Sequence, residues 1–455
     1  MFIYDSLRAE KREFKPITPG EIKMYVCGQT VYDLCHIGHA RSMIVFDMVV
    51  RYFRSQNYKV TYVRNITDID DKIIKRANEN GETCDVLTKR FIDLMHQDEK
   101  SLCLLEPTHE PRATEFVAPI ITLIEKLVAE KMAYIAGNGD VCFPVKKFHT
   151  YGKLSKHDIE KLIVGARIDI NEGKDDPLDF VVWKLAKPNE PCWESPWGNG
   201  RPGWHIECSA MAQTILGQPF DIHGGGMDLK FPHHENEIAQ SESAYHCTFA
   251  NIWMHAGLLN VNGEKMSKSL NNFFTIQDVL AKHNVEVIRY FMLSSHYRSP
   301  VDYSDENMEK AMLALKRLYT AIRGLVIVTA TATATDFVSA MDDDFNTSIA
   351  LSVLFDTAKE INILREENNI KDASALAAQL KKCGEILGIL QMDPEIFLQG
   401  EVSDEFSAQV EKLIALRSTA KKNKNYVEAD RIRAQLSLMN VVIEDSVGGV
   451  SWRKN

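Results

Sequence analysis

The stretch Tyr25-Val-Cys-Gly-Gln-Thr-Val-Tyr-Asp-Leu-Cys-His-Ile-Gly-His-Ala-Arg41 limits the possible folds more than any other part of this chain. The run Ile22 to Cys27 reads as a short strand stopped by the breaker Gly28. Beyond Gly38, the residues Ile44, Val45, Met48, Val49, Tyr52 and Phe53 recur at helical spacing. A second β-branched run follows at Lys59 to Ile66, and Thr67-Asp-Ile-Asp-Asp71 then offers caps for a helix ending near Gly81. Strand, helix, strand at this spacing is a βαβ unit, so the expectation is an α/β fold with a parallel sheet. Ligands of such sheets bind beyond the carboxyl ends of the strands, where Cys27 and Thr67 fall. The turn into the first helix aims unpaired backbone N–H groups at one point, a good place for phosphate. His36 and His39 add donors there.

The 455 residues allow two to four domains. A formal charge of −10 argues against indiscriminate nucleic-acid binding, while leaving room for local basic patches. Nine cysteines without a close framework fit a reducing, cytoplasmic setting, where thiols are core residues, metal ligands or catalytic groups. No apolar run approaches membrane-span length, and the first residues lack a signal-peptide pattern. Residues from about 85 to 135 read helical. From Ala136 to Pro202 the chain changes to short strands and turn pairs such as Asn138-Gly139, which reads as an insertion between two halves of the sheet domain. Beyond Asp305 it is mainly helical, with a low-complexity connector at Thr329 to Thr335 and a break at Asp393-Pro394. The last segment reads as two helices and a hairpin, Val441 to Trp452. Lys412, Arg417, Lys421, Lys422, Lys424, Arg431 and Arg433 make it locally basic.

Two further constellations carry chemistry. In Phe231-Pro-His-His-Glu-Asn-Glu237, Pro232 suits the first helical position and places His233 and Glu237 one turn apart. With Cys27 and Cys208 they would supply two sulfurs, a nitrogen and an oxygen, a set compatible with zinc. The same spacing is also that of a solvated helix with cysteines buried elsewhere. In Glu264-Lys-Met-Ser-Lys-Ser-Leu270, Lys265 and Lys268 with Ser267 would suit a loop closing on polyphosphate, or an ordinary surface loop.

Taken together, His-Ile-Gly-His at 36–39 and Lys-Met-Ser-Lys-Ser at 265–269 resemble the signature pair of class I aminoacyl-tRNA synthetases. The flanking strings look like the cysteinyl-tRNA synthetase family: Met-Tyr-Val-Cys-Gly28, Asn-Ile-Thr-Asp-Ile-Asp-Asp-Lys72, Pro-Gly-Trp-His-Ile-Glu-Cys-Ser209, His-Gly-Gly-Gly-Met-Asp-Leu-Lys230, Met341-Asp-Asp-Asp-Phe-Asn-Thr347 and the closing Trp452-Arg-Lys. The resemblance runs end to end. It implies a Rossmann-like catalytic domain in two halves, 1–135 and 203–250, around a connective insertion at 136–202. It further implies a lysine-loop and stem-contact region at 251–305, a helical bundle at 306–393 and an anticodon-binding domain at 400–455. Three positions depart from the family pattern: Asn271 for glycine, Gln29 for proline and Met227 for serine.

What the resemblance implies is an ATP-dependent cysteine–tRNA ligase, monomeric and cytoplasmic, that forms cysteinyl-adenylate and passes the acyl group to tRNA(Cys). One Zn²⁺ would be held by Cys27, Cys208, His233 and Glu237 and would select the substrate thiolate; Mg²⁺ would accompany ATP. His36, His39, Lys265 and Lys268 would be the catalytic groups. Gly38, Gly226, Asp228 and Ser267 would join them around ATP, and Gly28, Thr67 and Trp204 would contact L-cysteine. Trp452 and the basic tail would meet RNA, with Trp452 stacking on a base. Two rivals stay open on residues alone: a ligase of the same fold acylating an amino-sugar, and a non-catalytic zinc- and RNA-binding relative.

Overall fold

The computed structural model describes residues 1–156, 173–266, 272–327, 332–399, 404–446 and 449–454. Ser267, Lys268 and Asn271 lie outside the described residues, as do parts of the insertion and the connector. The chain divides into two compact units, one of Met1–Met308 with Val338–Ala350, the other of Glu309–Phe337 with Leu351–Asn455. Among the described residues, no helix is long and apolar enough to cross a membrane.

At the centre of the first unit lies a four-stranded parallel sheet. Its strands are β1 (Glu21–Thr30), β2 (Lys59–Thr67), β3 (Phe220–Gly226) and β4 (Ala250–Ala256), in the spatial order β4-β3-β1-β2. The connection from β1 runs outward to β2, and that from β3 runs the other way to β4. β1 and β3 therefore flank the point where the strand order reverses, and a crevice opens beyond their carboxyl ends. Helix α1 (Ile37–Ser55) follows β1, and its stripe of Ile44, Val45, Met48, Val49, Tyr52 and Phe53 is wholly buried. Helices α2 (Trp204–Leu216) and α3 (His233–Tyr245) precede and follow β3.

β1 does not stop at Gly28. It continues to Thr30 through a register shift between Val26 and Gln29, so Cys27 and Gly28 together oppose Asn65 of β2. Gly28 acts here as a bulge residue rather than a breaker. A Cβ on it would sit 1.7 Å from the Asn65 carbonyl oxygen, and its amide donates to Asn65 Oδ1 at 2.8 Å. The bulge re-aims the Cys27 side chain at the strand end.

The insertion forms an antiparallel sheet of Tyr134–Ile135, Val141–Phe143, Phe180–Leu185 and Gly200–Pro202. Its pairing starts at Tyr134, two residues before the composition changes. Its apolar face, with Phe143, Val182 and Trp183, shares one core with Ile206 and Ala210 of α2 and Ala239 of α3. The helices that carry the candidate ligands are thus braced from outside the parallel sheet.

Two polar clusters tie distant parts of this unit together. Asp47 of α1 accepts from Arg289 at 2.5 Å and from Arg51 at 2.8 Å, deep in the core. Asp344 accepts from the Tyr4 amide and the Tyr297 hydroxyl, each at 2.8 Å, and from Arg298 Nε at 2.9 Å. Asp344 and Phe345 both adopt left-handed backbone, with φ of 64° and 50°. The Met341-to-Thr347 string therefore builds a staple inside the sheet-containing unit.

In the second unit, Asp404–Lys422 and Tyr426–Leu438 form a helix pair followed by the hairpin Val441–Ser446 and Gly449–Lys454. Trp452 does not present itself for base stacking. It is buried with Val410, Ile414 and Leu436, and its indole N–H donates to Glu411 at 2.7 Å. A large aromatic is worth more to so small a core than to a surface. Arg417 is also buried, whereas the other six basic residues of that segment are exposed.

Candidate metal centre and nucleotide site

Cys27 reaches the crevice from the bulge in β1, Cys208 from the first turns of α2, and His233 and Glu237 from successive turns of α3. Their ligand atoms all lie within 4.8 Å of one another. The Cys27 and Cys208 sulfurs are 3.8 Å apart, Cys27 Sγ lies 3.4 Å from Glu237 Oε1, and that oxygen is 3.1 Å from His233 Nε2. A tetrahedral ion with bonds of about 2.3 Å to sulfur would hold two such sulfurs about 3.8 Å apart. The donor set thus fits zinc in chemistry and in spacing.

The surrounding groups fix this geometry. His205 Nδ1 lies 2.9 Å from His233 Nδ1, which leaves Nε2 of His233 facing the other donors. His223 Nε2 is 2.8 Å from Glu237 Oε2, holding the carboxylate oxygen that the cluster leaves spare. Partners of this kind orient metal ligands. Burial, helped by His205 and His223, pushes His233 well below the ordinary imidazole range, so it is neutral, as a ligand must be. Burial, followed by the contact with Cys208, pushes the Cys27 thiol well up. A divalent cation reverses that, since a coordinating thiol is deprotonated. His223 and His234, with Cys27 and Glu237, make a second overlapping set of close donors. His205, His223 and His234 lie inside the motif strings but carry no site role that the sequence alone announces. Their one local signal was placement beside Trp204, the glycine loop and His233.

The groups assigned to cysteine surround this cluster. The Trp204 ring centroid is 4.3 Å from that of His233, and Trp204 is 38% exposed, so it lines an opening rather than filling a core. Thr67 is buried and its hydroxyl donates to Glu207 Oε2 at 3.1 Å. A cavity of about 220 Å³ lies between the exit of β2 and the start of α2, lined in part by Ile69, Asp70, Gly203, Trp204 and His205.

The second half of the site is the mouth of α1. His36 is the N-cap, and the His36 and His39 rings stack with centroids 3.5 Å apart. His39 Nδ1 accepts the His36 backbone N–H at 3.3 Å. The remaining nitrogen, Nε2, then carries the hydrogen and acts as a donor. Burial, then His36, depresses His39 well below its usual range, so it works as a neutral donor rather than a fixed charge. On Gly38 a Cβ would come 3.0 Å from the His36 ring and 3.3 Å from the Met266 methyl.

Met266 belongs to the other signature, so the two strings meet here. Ile37 N–H donates to the Phe274 carbonyl and Ile276 N–H to the Cys35 carbonyl, each at 3.0 Å. Lys265 ends a short hairpin, Leu259–Val261 with Glu264–Lys265, whose turn Asn262-Gly263 has φ of 50° and 79°. That is the mirror-image turn that suits the strand twist. Lys265 is exposed. At the end of β3, a Cβ on Gly224 would meet the Phe46 ring at 2.4 Å, and one on Gly226 would meet Asp228 Oδ1 at 2.4 Å. These glycines let the strand end lie close to α1 and to the turn bearing Asp228. Cys35 is buried, and its thiol donates to Gln29 Oε1 at 2.8 Å, which gives the departure at Gln29 a structural partner.

Three family models cover most of the chain. They are the class I (C) tRNA synthetase catalytic domain over residues 13–313, the DALR domain over 336–391, and the cysteinyl-tRNA ligase anticodon binding domain over 403–453. Cysteine–tRNA ligase of Coxiella burnetii (strain Dugway 5J108-111) is 57% identical over 457 residues, covering 100% of both chains. Those of Vibrio atlanticus and Halorhodospira halophila are 55% identical, each covering 99% of both. Methionyl-tRNA synthetase of Mycobacterium tuberculosis, solved with methionyl-adenylate, shares the fold at a TM-score of 0.58 and 15% identity, covering 81% of this chain and 89% of that one. A parallel sheet with its crevice at the strand reversal, two signature strings touching beside it, and full-length likeness at this level leave one assignment: the chain belongs to the cysteinyl-tRNA synthetases of class I.

Proposed function

We propose that this cysteine–tRNA ligase selects its amino acid at the strand end and activates it at the helix mouth, with the division of labour read from its own residues. The observation that carries this is the convergence of Cys27, Cys208, His233 and Glu237 in the crevice of which α1 forms the other wall. Zinc held by those four would supply a soft electron acceptor that takes a thiolate well and a serine hydroxyl poorly. A purely apolar pocket separates such near-isosteres only weakly. Trp204 covers the opening above His233, while Gly28 and Thr67 hold the backbone end of the amino acid.

ATP enters as its Mg²⁺ complex. The cysteine carboxylate attacks the α-phosphorus, the bond to the bridging oxygen breaks, and pyrophosphate leaves with that oxygen and its electron pair. His39 donates through Nε2, and His36 stands beside it at the helix N-terminus, where backbone N–H groups also face the phosphates. Lys265, with Lys268 and Ser267 following it, neutralises charge on the departing pyrophosphate. Gly226 gives room at the strand end, and Asp228 accepts from ribose hydroxyls. A hydroxyl of the terminal adenosine of tRNA(Cys), the 2′-hydroxyl in this class, then attacks the adenylate carbonyl carbon, and AMP leaves with the oxygen of the broken acyl–phosphate bond. The exposed lysines and arginines of 404–446 favour the RNA backbone, a face that an amino-sugar ligase would not need. The protein acts as a monomer in this reading.

Cysteine-dependent ATP–pyrophosphate exchange, measured alongside zinc content and then with tRNA added, tests the whole scheme. Cysteine-specific exchange that disappears on metal removal and returns with Zn²⁺ is expected. Full exchange in metal-free protein would overturn the selection mechanism.

A further inference from the structure

Of the three groups assigned to cysteine, Thr67 touches Glu207 directly. Glu207 stands on α2, three residues after Trp204 and one before Cys208, and its side chain is fully buried. Its Oε2 accepts the Thr67 hydroxyl proton. The same hydroxyl oxygen accepts from Asn65 Nδ2 at 3.3 Å, and Asn65 Oδ1 accepts the Gly28 N–H. One chain of hydrogen bonds therefore runs from the bulge of β1, across the end of β2, to Glu207.

The other carboxylate oxygen, Oε1, is buried with no hydrogen-bond partner among the described residues. Native structures leave few such atoms, and each calls for a partner, which a bound ligand can supply. Asp68, Asp70 and Arg201 are the charged groups whose fields act on Glu207. What Oε1 lacks is a donor, and a cationic N–H group is the strongest kind for a carboxylate. The segments on both sides of the Thr67–Glu207 pair, Ile69-Asp70 and Gly203 to His205, line the 220 Å³ cavity. Cysteine brings the missing group as its α-ammonium.

We propose that Glu207 is the specificity-determining residue for the α-ammonium of cysteine, held in place by Thr67 and Asn65. This rests on the reading of Gly28, Thr67 and Trp204 as the cysteine pocket. The substrate is then gripped at two ends. The sulfur is read by the donor cluster that includes Cys208, and the nitrogen by the residue immediately before it.

The test compares L-cysteine with 3-mercaptopropionate, which keeps thiol and carboxylate but lacks the ammonium, by calorimetric titration of full-length zinc-loaded protein. Glu207→Gln is expected to weaken cysteine about 10- to 100-fold, the scale of a lost hydrogen bond to a charged group. It should leave 3-mercaptopropionate within about threefold, and zinc content and the KM for ATP unchanged. Equal weakening of both ligands, or of neither, overturns the assignment. If Glu207→Gln loses zinc or does not fold, Thr67→Val carries the same comparison, and equal weakening there overturns it too. Wild-type protein that exchanges pyrophosphate with cysteine yet binds both ligands equally would remove the role of Glu207 alone. Absence of any cysteine-dependent exchange would remove the proposed function itself.

Discussion

The two halves of the site follow opposite plans. At the strand end, four donors come from three elements, with Cys27 and Glu237 210 positions apart in sequence, and three of the four are buried. At the helix mouth, His36 and His39 come from a single turn, and Lys265 stands exposed on a hairpin. In the proposed reading, the first half is closed to read one atom of a small substrate, where selectivity depends on fixed spacing. The second stays open so that a triphosphate can enter and pyrophosphate can leave. Rigidity and access, which compete within any one pocket, are here assigned to neighbouring structures.

Substitutions should separate the halves. Cys208→Ser removes one donor of the proposed zinc site; structural zinc in zinc-finger peptides is bound with about 10–16 kcal/mol. It is expected to lose zinc and to lower cysteine-dependent exchange by more than about 10³-fold, measured by elemental analysis and exchange on one preparation. Retained activity without metal would erase the distinction between the halves. His39→Ala or Lys265→Ala should cost about 10²–10³-fold in exchange with zinc content unchanged. Loss of zinc in either variant would show that the two halves are one unit.

Gly28→Ala sharpens the contrast from the strand side. The added methyl would meet the Asn65 carbonyl, so the bulge must open at a cost of about 1–3 kcal/mol. The expected outcome is a lower Tm and a higher KM for cysteine, with the KM for ATP little changed. Asp47→Asn touches neither half and serves as the control. Burial alone would raise the Asp47 carboxyl, but Arg289 and Arg51 hold it below its usual value. Its contribution is therefore complete above the unfolded carboxylate value of about 3.9 and is lost as pH falls through the lower folded value. Asp47→Asn should cost about 3–5 kcal/mol at neutral pH, because it strands a buried guanidinium. It should also flatten the acid limb of stability followed by urea unfolding between pH 6 and pH 3.

What could be read from sequence follows the same divide. The helix mouth was legible because His36, Gly38 and His39 lie within one turn, and the apolar stripe of α1 announces its helix. The parallel sheet followed from the order of strands and helices. His233 and Glu237 could be placed on one face, but their meeting with Cys27 and Cys208 depended on strand order, which no local pattern encodes; family resemblance supplied that pairing. The bulge at Gly28 was misread as a stop because a glycine that ends a strand and one that admits a neighbouring carbonyl look alike in sequence. Trp452 was misread because exposure of an aromatic near basic residues depends on whether a core lies beneath it. The shell of His205 and His223 escaped notice because buried histidines have no periodic signature.

The staple at Asp344 has a bearing on how this protein is made. Its carboxylate takes the amide of Tyr4, 340 residues earlier in the chain. On a ribosome adding about 5–20 residues per second, roughly 20–70 s separate the appearance of one partner from that of the other. For that interval the N-terminal strand, Phe2–Asp5, stands without its closing contact, and the sheet-containing unit is finished only after Glu309–Phe337 of the second unit has been made. A ribosome stalled between residues 269 and 344 releases a fragment that contains every proposed zinc ligand and both signature strings yet lacks the residue that fastens the strand Phe2–Asp5. Such fragments would be candidates for chaperone capture and degradation.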